Sequence, residues 1–145
     1  GVRSLQLAQY YAHARNAFWP IMGALFGAAP ELAYLERLRI LQSQRIALWD
    51  VLQCCERIGS LDADIAEASI VANDFLAFFA QHPNIRRVFF NGAKAQAAYK
   101  QYVLPTLTGA CASMRYLRLP STSPAHAGMT FSQKLARWKV VKDVV

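Results

Sequence analysis

Strand patterns alternate with helical patterns along most of this chain of 145 residues. Helical patterns lie at residues 31–44, where leucines recur every three residues as an amphipathic stripe, and after Asn73 and Asp74, which can cap a helix. Two more lie at residues 93–103, after a turn at Asn91-Gly92, and from the Thr130–Gln133 capping-box pattern to about residue 142. Valine and aromatic residues predict strands at residues 85–90 and 114–119. This alternation predicts an α/β fold with a short, mainly parallel sheet between helices. Without repeats or a linker, residues 1–145 are expected to form one domain.

Three polar features follow the predicted strands. They are Asp50 in the short apolar run IALWDVL (residues 46–52), the Asn91-Gly92 pair, and the loop PSTSPAHAG (residues 120–128). Ligands of parallel α/β sheets bind at the carboxyl ends of the strands. These features therefore predict one binding site, although Asp50 could equally cap a turn.

The basic charge of the chain is unevenly distributed. Sixteen bases and nine acids give 16 − 9 = +7, and residues 75–145 hold ten bases against one acid. Such a surplus suits a polyanion such as nucleic acid, with solubility as the plain alternative. The basic residues that could contact phosphate in this half include Arg86, Arg87, Lys94, Arg115 and Arg118.

The three cysteines are too few for a disulfide framework and match no zinc or iron–sulfur spacing. Their odd number favours a reducing, cytoplasmic location. No apolar run reaches the roughly 18–20 residues of a membrane span. We therefore expect no zinc site or iron–sulfur cluster built on these cysteines and no membrane partner.

Residues 9–19 read QYYAHARNAFW and combine four aromatic residues with His13, Arg15 and Asn16. Aromatic rings can stack on a flat base, and an asparagine can recognise a base edge or orient water. The alternative is a helix start that packs its rings into the core. Residues 119–127 read LPSTSPAHA and offer three hydroxyls, backbone N–H groups and His126 to a phosphate. The alternative there is a surface loop braced by prolines.

Together the two motifs resemble the uracil-DNA glycosylase superfamily. The nearest branch is the hypoxanthine-DNA (deoxyinosine) glycosylases, whose motifs read approximately QYYxHPxNxFW and LPSTSPAN. The similarity extends through IALWDVL and VFFNGAKA. It implies a three-layer αβα sandwich that removes a deaminated base from DNA without a metal or organic cofactor. The expected partner is DNA that contains a deaminated or mismatched base, and the enzyme is expected to be a monomer.

The resemblance also implies roles for individual residues. Asn16 and His126 would be catalytic. Contacts to DNA phosphate would come from four residues, namely Arg15, Ser121, Thr122 and Ser123.

The base would be held by four further residues. Phe18 would stack on the flipped base, and Tyr10 or Tyr11 would line the pocket. Asp50 would recognise the base edge or act as a general base.

The chain departs from the pattern at Ala14, where the branch has proline, and at His126, where it has asparagine. The first strand of the family would precede Gly1, so we expect the chain to begin after it. Two other functions remain open. One is a DNA- or nucleotide-binding module without activity, and the other is a hydrolase of free nucleosides, which usually recruits carboxylates or a metal.

Overall fold

A computed structural model describes residues 9–54, 71–109 and 113–143. The chain divides into two compact units: unit 1 comprises Gly1–Leu48 and Pro120–Val145, and unit 2 comprises Trp49–Leu119. A single domain over residues 1–145 stays a prediction. Residues before Gln9, Cys55 and Cys111 lie outside the described residues, as does the expected preceding strand.

Helices and strands alternate, which confirms the predicted α/β class. Among its described residues, unit 1 has the α-helices α1 (Phe18–Phe26), α2 (Tyr34–Ser43) and α5 (Phe131–Trp138), the last followed by a 3-10 turn (Lys139–Asp143). The described residues of unit 2 form, in chain order, β1 (Leu52–Cys54), β2 (Val71–Ala72), α3 (Phe75–Gln81), β3 (Arg87–Asn91), α4 (Ala93–Ala98) and β4 (Arg115–Leu119). A π-helical turn (Tyr99–Val103) and a 3-10 turn (Leu104–Thr106) continue α4.

Helix α1 supplies much of the buried apolar surface of unit 1. Five of its residues are buried, namely Phe18, Trp19, Ile21, Met22 and Leu25. The helix ends at Gly27, whose φ of 83° is a left-handed conformation that glycine adopts without steric cost. This burial agrees with the packing alternative for the aromatic residues at the helix start.

The predicted leucine stripe of α2 is only partly buried. The helix begins at Tyr34 rather than at residue 31, and Leu41 is buried while Leu35 is 65% exposed. An α-helix has 3.6 residues per turn, so a strict spacing of three moves around the axis with each step. The leucines therefore do not share one buried face.

The start of α5 confirms the predicted capping box. Thr130 Oγ1 accepts a 3.2 Å hydrogen bond from the Gln133 N–H, and Gln133 Oε1 accepts one of 2.8 Å from the Thr130 N–H. The buried side chains of this helix are Lys134 and Trp138. Trp138 Nε1 donates to the Pro120 carbonyl oxygen at 2.9 Å, which anchors the start of the second motif.

Strands β3 and β4 of unit 2 are parallel, as predicted. Their register pairs Arg87 with Arg115 and Asn91 with Leu119, so both carboxyl ends lie at the same edge. The Gly92 N–H donates to the Leu119 carbonyl oxygen at 3.0 Å. Gly92 has a φ of 94°, which L side chains rarely adopt, and this turn leads β3 into α4.

An aromatic cluster forms the core of unit 2. Its buried members are Phe75, Phe79, Phe90, Tyr99 and Val103. The Tyr99 and Tyr116 hydroxyl oxygens lie 3.0 Å apart in a hydrogen bond. Helix α3 begins where expected, because Asp74 Oδ1 accepts the Ala77 N–H at 3.0 Å.

The prediction for the IALWDVL run is wrong. Trp49 is 39% exposed, Asp50 is exposed, and the strand begins only at Leu52. Strand β1 pairs antiparallel with β2, a pairing that the sequence did not predict. Asp50 therefore precedes a strand instead of following one. The expectation that it lies at the carboxyl end of a strand, together with the residues that follow β3 and β4, loses its basis.

Candidate active site

Within unit 1 the first motif lies against the second. The Ala17 N–H donates a 2.9 Å hydrogen bond to the Thr122 carbonyl oxygen, immediately before α1 begins. Phe18 and Trp138 contact through their rings, with centroids 5.9 Å apart and planes nearly perpendicular. The two segments singled out from the sequence thus form one structural feature.

Side chains from two helices hold the backbone of the first motif. Tyr34 Oη accepts the Tyr10 N–H at 3.1 Å, and Trp19 Nε1 donates to the Tyr10 carbonyl oxygen at 3.0 Å. The next residue, Tyr11, has a φ of 56°, in the left-handed region that side chains other than glycine seldom occupy. Such outliers persist only where surrounding contacts fix them, and they concentrate at functional sites.

The rings of Tyr11 and Phe18 are stacked. Their centroids are 4.2 Å apart and their planes differ by 26°. Phe18 is only 2% exposed, and Trp19 packs edge-on against it. The expectation that Phe18 stacks on a base does not fit this arrangement, because Tyr11 covers its ring. Tyr11 is half-buried, so its ring is more accessible to a base than the ring of Phe18.

A cavity of about 210 Å³ opens beside this stack. Its lining includes Gln9, Tyr11, His13, Asn16, Trp19 and Arg37. Pockets for drug-sized ligands usually measure about 300–1,000 Å³, so this cavity suits a smaller group. The candidate site therefore contains Tyr11 and Asn16, two of the residues predicted from sequence, and lies wholly within unit 1.

Asn16 is held by the turn that precedes α1. Its Oδ1 accepts the Phe18 N–H at 2.9 Å, and its own N–H donates to the His13 carbonyl oxygen at 2.9 Å. His13 Nδ1 accepts the Arg15 N–H at 3.1 Å, which fits an orienting role for His13. With the amide oxygen engaged, the Nδ2 amide group is the part of Asn16 best placed to serve a ligand.

Arg37 is a site residue that sequence reasoning missed. Its guanidinium carbon lies 4.7 Å from the centroid of the Trp19 ring and 5.3 Å from that of Tyr34. Its Nε donates to the Leu32 carbonyl oxygen at 3.1 Å. Tyr34 lies three residues before Arg37 in α2, whereas the contact with Trp19 of α1 depends on tertiary packing and leaves no local signal in the sequence.

The second-motif loop satisfies its own backbone. Ser121 Oγ accepts the Ser123 N–H at 3.1 Å, and Ser123 Oγ accepts the Ala125 N–H at 3.2 Å. The His126 N–H donates to the Ser123 carbonyl oxygen at 3.0 Å. These three N–H groups are therefore engaged within the loop, contrary to the expectation that they would bind phosphate. The serine hydroxyl protons stay able to donate outward.

Burial separates Thr122 from the other expected phosphate contacts. Thr122 is only 1% exposed, so its side chain is not accessible to a DNA phosphate in the structure described, and its expected phosphate contact stays an untested prediction. Ser121 and Ser123 are half-buried, whereas Arg15 and His126 are exposed. Roles in DNA contact for these four residues stay predictions.

Asp50 belongs to unit 2. Its carbonyl oxygen accepts a 2.6 Å hydrogen bond from Asn73 Nδ2, across the β1–β2 end of that unit. Its predicted part in base recognition therefore stays a prediction. Of the basic residues of unit 2, Arg87 places its guanidinium carbon 4.8 Å from the centroid of Phe89, while Arg86 and Arg115 are exposed.

Two absences hold for residues 9–54, 71–109 and 113–143. Among them no three His, Cys, Asp or Glu side chains are grouped so that they could bind a metal ion. None of their helices has the length and apolar character needed to cross a membrane.

Comparison with known proteins identifies the family. A hypoxanthine DNA glycosylase of Methanosarcina acetivorans is 35% identical over 116 residues, covering 74% of this chain and 72% of that protein. A hypoxanthine DNA glycosylase of Methanosarcina barkeri is 36% identical over 93 residues, covering 63% of this chain and 58% of that protein. No protein-family model matches the chain.

A solved structure extends the likeness to the fold. The solution NMR structure of a candidate uracil DNA glycosylase from Methanosarcina acetivorans superimposes with a TM-score of 0.72 at 30% sequence identity. The match covers 98% of this chain and 85% of that one. The chain belongs to the uracil-DNA glycosylase superfamily, in its hypoxanthine-DNA glycosylase branch.

Proposed function

We propose that this protein is a DNA repair glycosylase that hydrolyses the N-glycosidic bond of hypoxanthine in DNA, with uracil as a second candidate base. The observation that carries the proposal is the placement of Asn16 beside Tyr11 in one cavity of a chain from this family. Both relatives are named for hypoxanthine. The proposed partner is DNA with a deaminated or mismatched base, and the proposed active species is a monomer in the cytoplasm.

The target base must first leave the DNA stack. Unstacking costs a few kcal/mol and is easiest at a mismatch. The Tyr11 ring lines the cavity and would then receive the base on the face turned away from Phe18. Stacking on an aromatic ring contributes about 1–3 kcal/mol per base, which offsets much of that cost.

Bond cleavage places negative charge on the departing base and positive charge on the sugar. Water forms the new bond to the sugar carbon, and its released proton ends on the base. A fixed donor at the base stabilises the charge that develops in the transition state. Asn16 Nδ2 fits this role better than water alignment by Oδ1, since Oδ1 accepts the Phe18 N–H.

Contacts with the sugar–phosphate backbone would come from the second-motif loop. The hydroxyls of Ser121 and Ser123 would donate to phosphate oxygens, and Arg15 would add charge at the exposed edge. His126 would lie near the sugar and base, where a cationic ring stabilises a leaving anion and a neutral ring only positions it. Asp50 is proposed as a further contact to the base edge.

The activity assay uses duplex oligonucleotides that carry a single inosine or uracil, paired with T, C or G. After incubation with excess enzyme, alkali breaks the strand at each abasic site, and the single-turnover rate is measured. We expect cleavage at inosine and none in an undamaged duplex. Absence of cleavage at any deaminated base would contradict the proposal.

A binding module without activity is the second candidate, since the loop carries His126 in place of the family's asparagine. It predicts binding to these duplexes without strand cleavage. The binding constant should then fall by about 0.9 log units for each tenfold increase in salt concentration and each phosphate neutralised. Gel-shift titrations at several salt concentrations, beside the cleavage assay, distinguish the two functions.

A further inference from the structure

Lys134 of helix α5 is a buried cation beside the second-motif loop. It is 5% exposed, and its Nζ donates to the Ser123 carbonyl oxygen at 3.5 Å. No carboxylate forms an ion pair with it among the residues that the structure describes. Burial of an ammonium group is costly unless acceptors surround it. One long hydrogen bond offsets little of this burial cost, so Lys134 is poorly suited to stabilising the fold.

The acceptor of Lys134 is also the acceptor that closes the turn at His126. The Ser123 carbonyl oxygen receives the His126 N–H at 3.0 Å and Lys134 Nζ at 3.5 Å. The hydroxyl of Ser123 accepts the Ala125 N–H, so the residues between Ser123 and His126 form one hydrogen-bonded turn. The Lys134 ammonium group thus contacts the same carbonyl oxygen that holds the backbone N–H of His126 in the turn.

We propose that Lys134 is a positioning residue, which acts through the Ser123 carbonyl oxygen to hold His126 in its working place during base excision. The inference rests on the proposed function, because the position of His126 affects a reaction rate only if the protein is a glycosylase. A displacement of about 1 Å in a catalytic group can reduce a rate about a hundredfold. A lysine that fixes a turn can therefore affect the rate without touching DNA.

A purely structural role predicts a different outcome. Replacement of a buried charged group by an apolar one of similar volume is often neutral or stabilising. Lys134→Met should therefore leave the thermal midpoint unchanged or raise it, while it lowers the rate. A lysine that only packed the core would give a lower midpoint and a rate loss that follows the unfolded fraction.

The test is a double-mutant cycle in the full chain. Lys134→Met is prepared alone and with His126→Ala, and the single-turnover rate on an inosine duplex is measured with saturating enzyme. We expect a loss of about tenfold to a hundredfold from Lys134→Met alone. In the His126→Ala background the same change should alter the rate by less than about twofold, because coupled residues are not additive.

Two further variants serve as controls. Lys134→Arg keeps the charge and should recover part of the rate. Lys139→Met removes the same charge from an exposed position just after α5 and should stay within about twofold of the parent. An equal loss from Lys134→Met in both backgrounds would overturn the proposal, and so would a loss as large from Lys139→Met.

Hydrogen exchange at the His126 amide tests the turn without any activity measurement. Exchange monitored by NMR should be faster in Lys134→Met than in the parent and close to the parent in Lys139→Met. Unchanged exchange in Lys134→Met overturns the proposal. A parent protein that cleaves no deaminated base overturns the proposed function instead, and the exchange result still decides whether Lys134 holds the turn.

Discussion

The Ala17 N–H and the Thr122 carbonyl oxygen form a 2.9 Å hydrogen bond that joins the two motifs of the candidate site. Thr122 is buried while the serines on either side are half-buried. The middle residue of the SerThrSer sequence therefore holds the loop to α1, and its neighbours are the ones available to DNA.

Thr122→Ala should destabilise the protein and leave DNA binding nearly intact. Loss of a buried side chain at this junction should lower the free energy of unfolding by about 1–2 kcal/mol, measured by urea denaturation. The exposed Thr108→Ala is the matched control and should change stability by less than about 0.5 kcal/mol. Weaker DNA binding at unchanged stability would restore Thr122 as a phosphate contact.

Asn16→Asp distinguishes the role of the amide oxygen of Asn16 from that of its NH₂ group. The carboxylate can still accept the Phe18 N–H, so the start of α1 should be preserved and the circular dichroism spectrum unchanged. The donor is lost, however, and a negative charge now opposes the leaving anion. We expect the single-turnover rate on inosine to fall about a hundredfold or more.

The control for that charge change is Asn84→Asp, at an exposed position, which should retain the parent rate. Asn16→Ala should lose both the rate and some stability, because it leaves the Phe18 N–H without its present acceptor. Full activity in Asn16→Asp would assign catalysis to the oxygen or to another residue.

Tyr11→Ala should weaken the productive complex with damaged DNA. Removal of the ring takes away the proposed stacking surface, which contributes about 1–3 kcal/mol, so kcat/KM should fall by roughly fivefold to 150-fold. Tyr11→Phe keeps the ring and should retain most of the activity. If both variants behaved alike, the ring would not be the element that binds the base.

Gly92→Ala should destabilise unit 2. The φ of 94° and ψ of 172° at this residue lie in a region that is nearly restricted to glycine. Holding any other residue in this conformation lowers the free energy of unfolding by about 1–3 kcal/mol. Thermal and urea unfolding should both report the loss. Gly109→Ala is the control, since a Cβ at Gly109 meets nothing within 4 Å; equal losses would contradict the conformational explanation.

The sequence predicted elements whose determinants are local. The Thr130–Gln133 capping box, the Asp74 cap and the turn at Gly92 all follow from residues within a few positions of each other. The parallel pairing of β3 and β4 followed from the order of helices and strands. Such features need little knowledge of the rest of the chain.

The errors concern packing between distant residues. Phe18 was expected to stack on a base, but its ring lies against that of Tyr11, whose left-handed backbone conformation no sequence pattern indicates. Arg37 of α2 joined the site through its contact with Trp19 of α1, which lies eighteen positions earlier in the chain. Asp50 was placed after a strand because an apolar run was taken as buried, whereas Trp49 is exposed.

The division of unit 1 into two segments has a consequence for biosynthesis. Unit 2 is continuous from Trp49 to Leu119, so the ribosome releases all of it before the Pro120–Val145 segment of unit 1 emerges. The Ala17–Thr122 bond and the Lys134 contact must wait for that final segment. A nascent chain therefore acquires its candidate site last, and translation that stops early would release a polypeptide without the second motif.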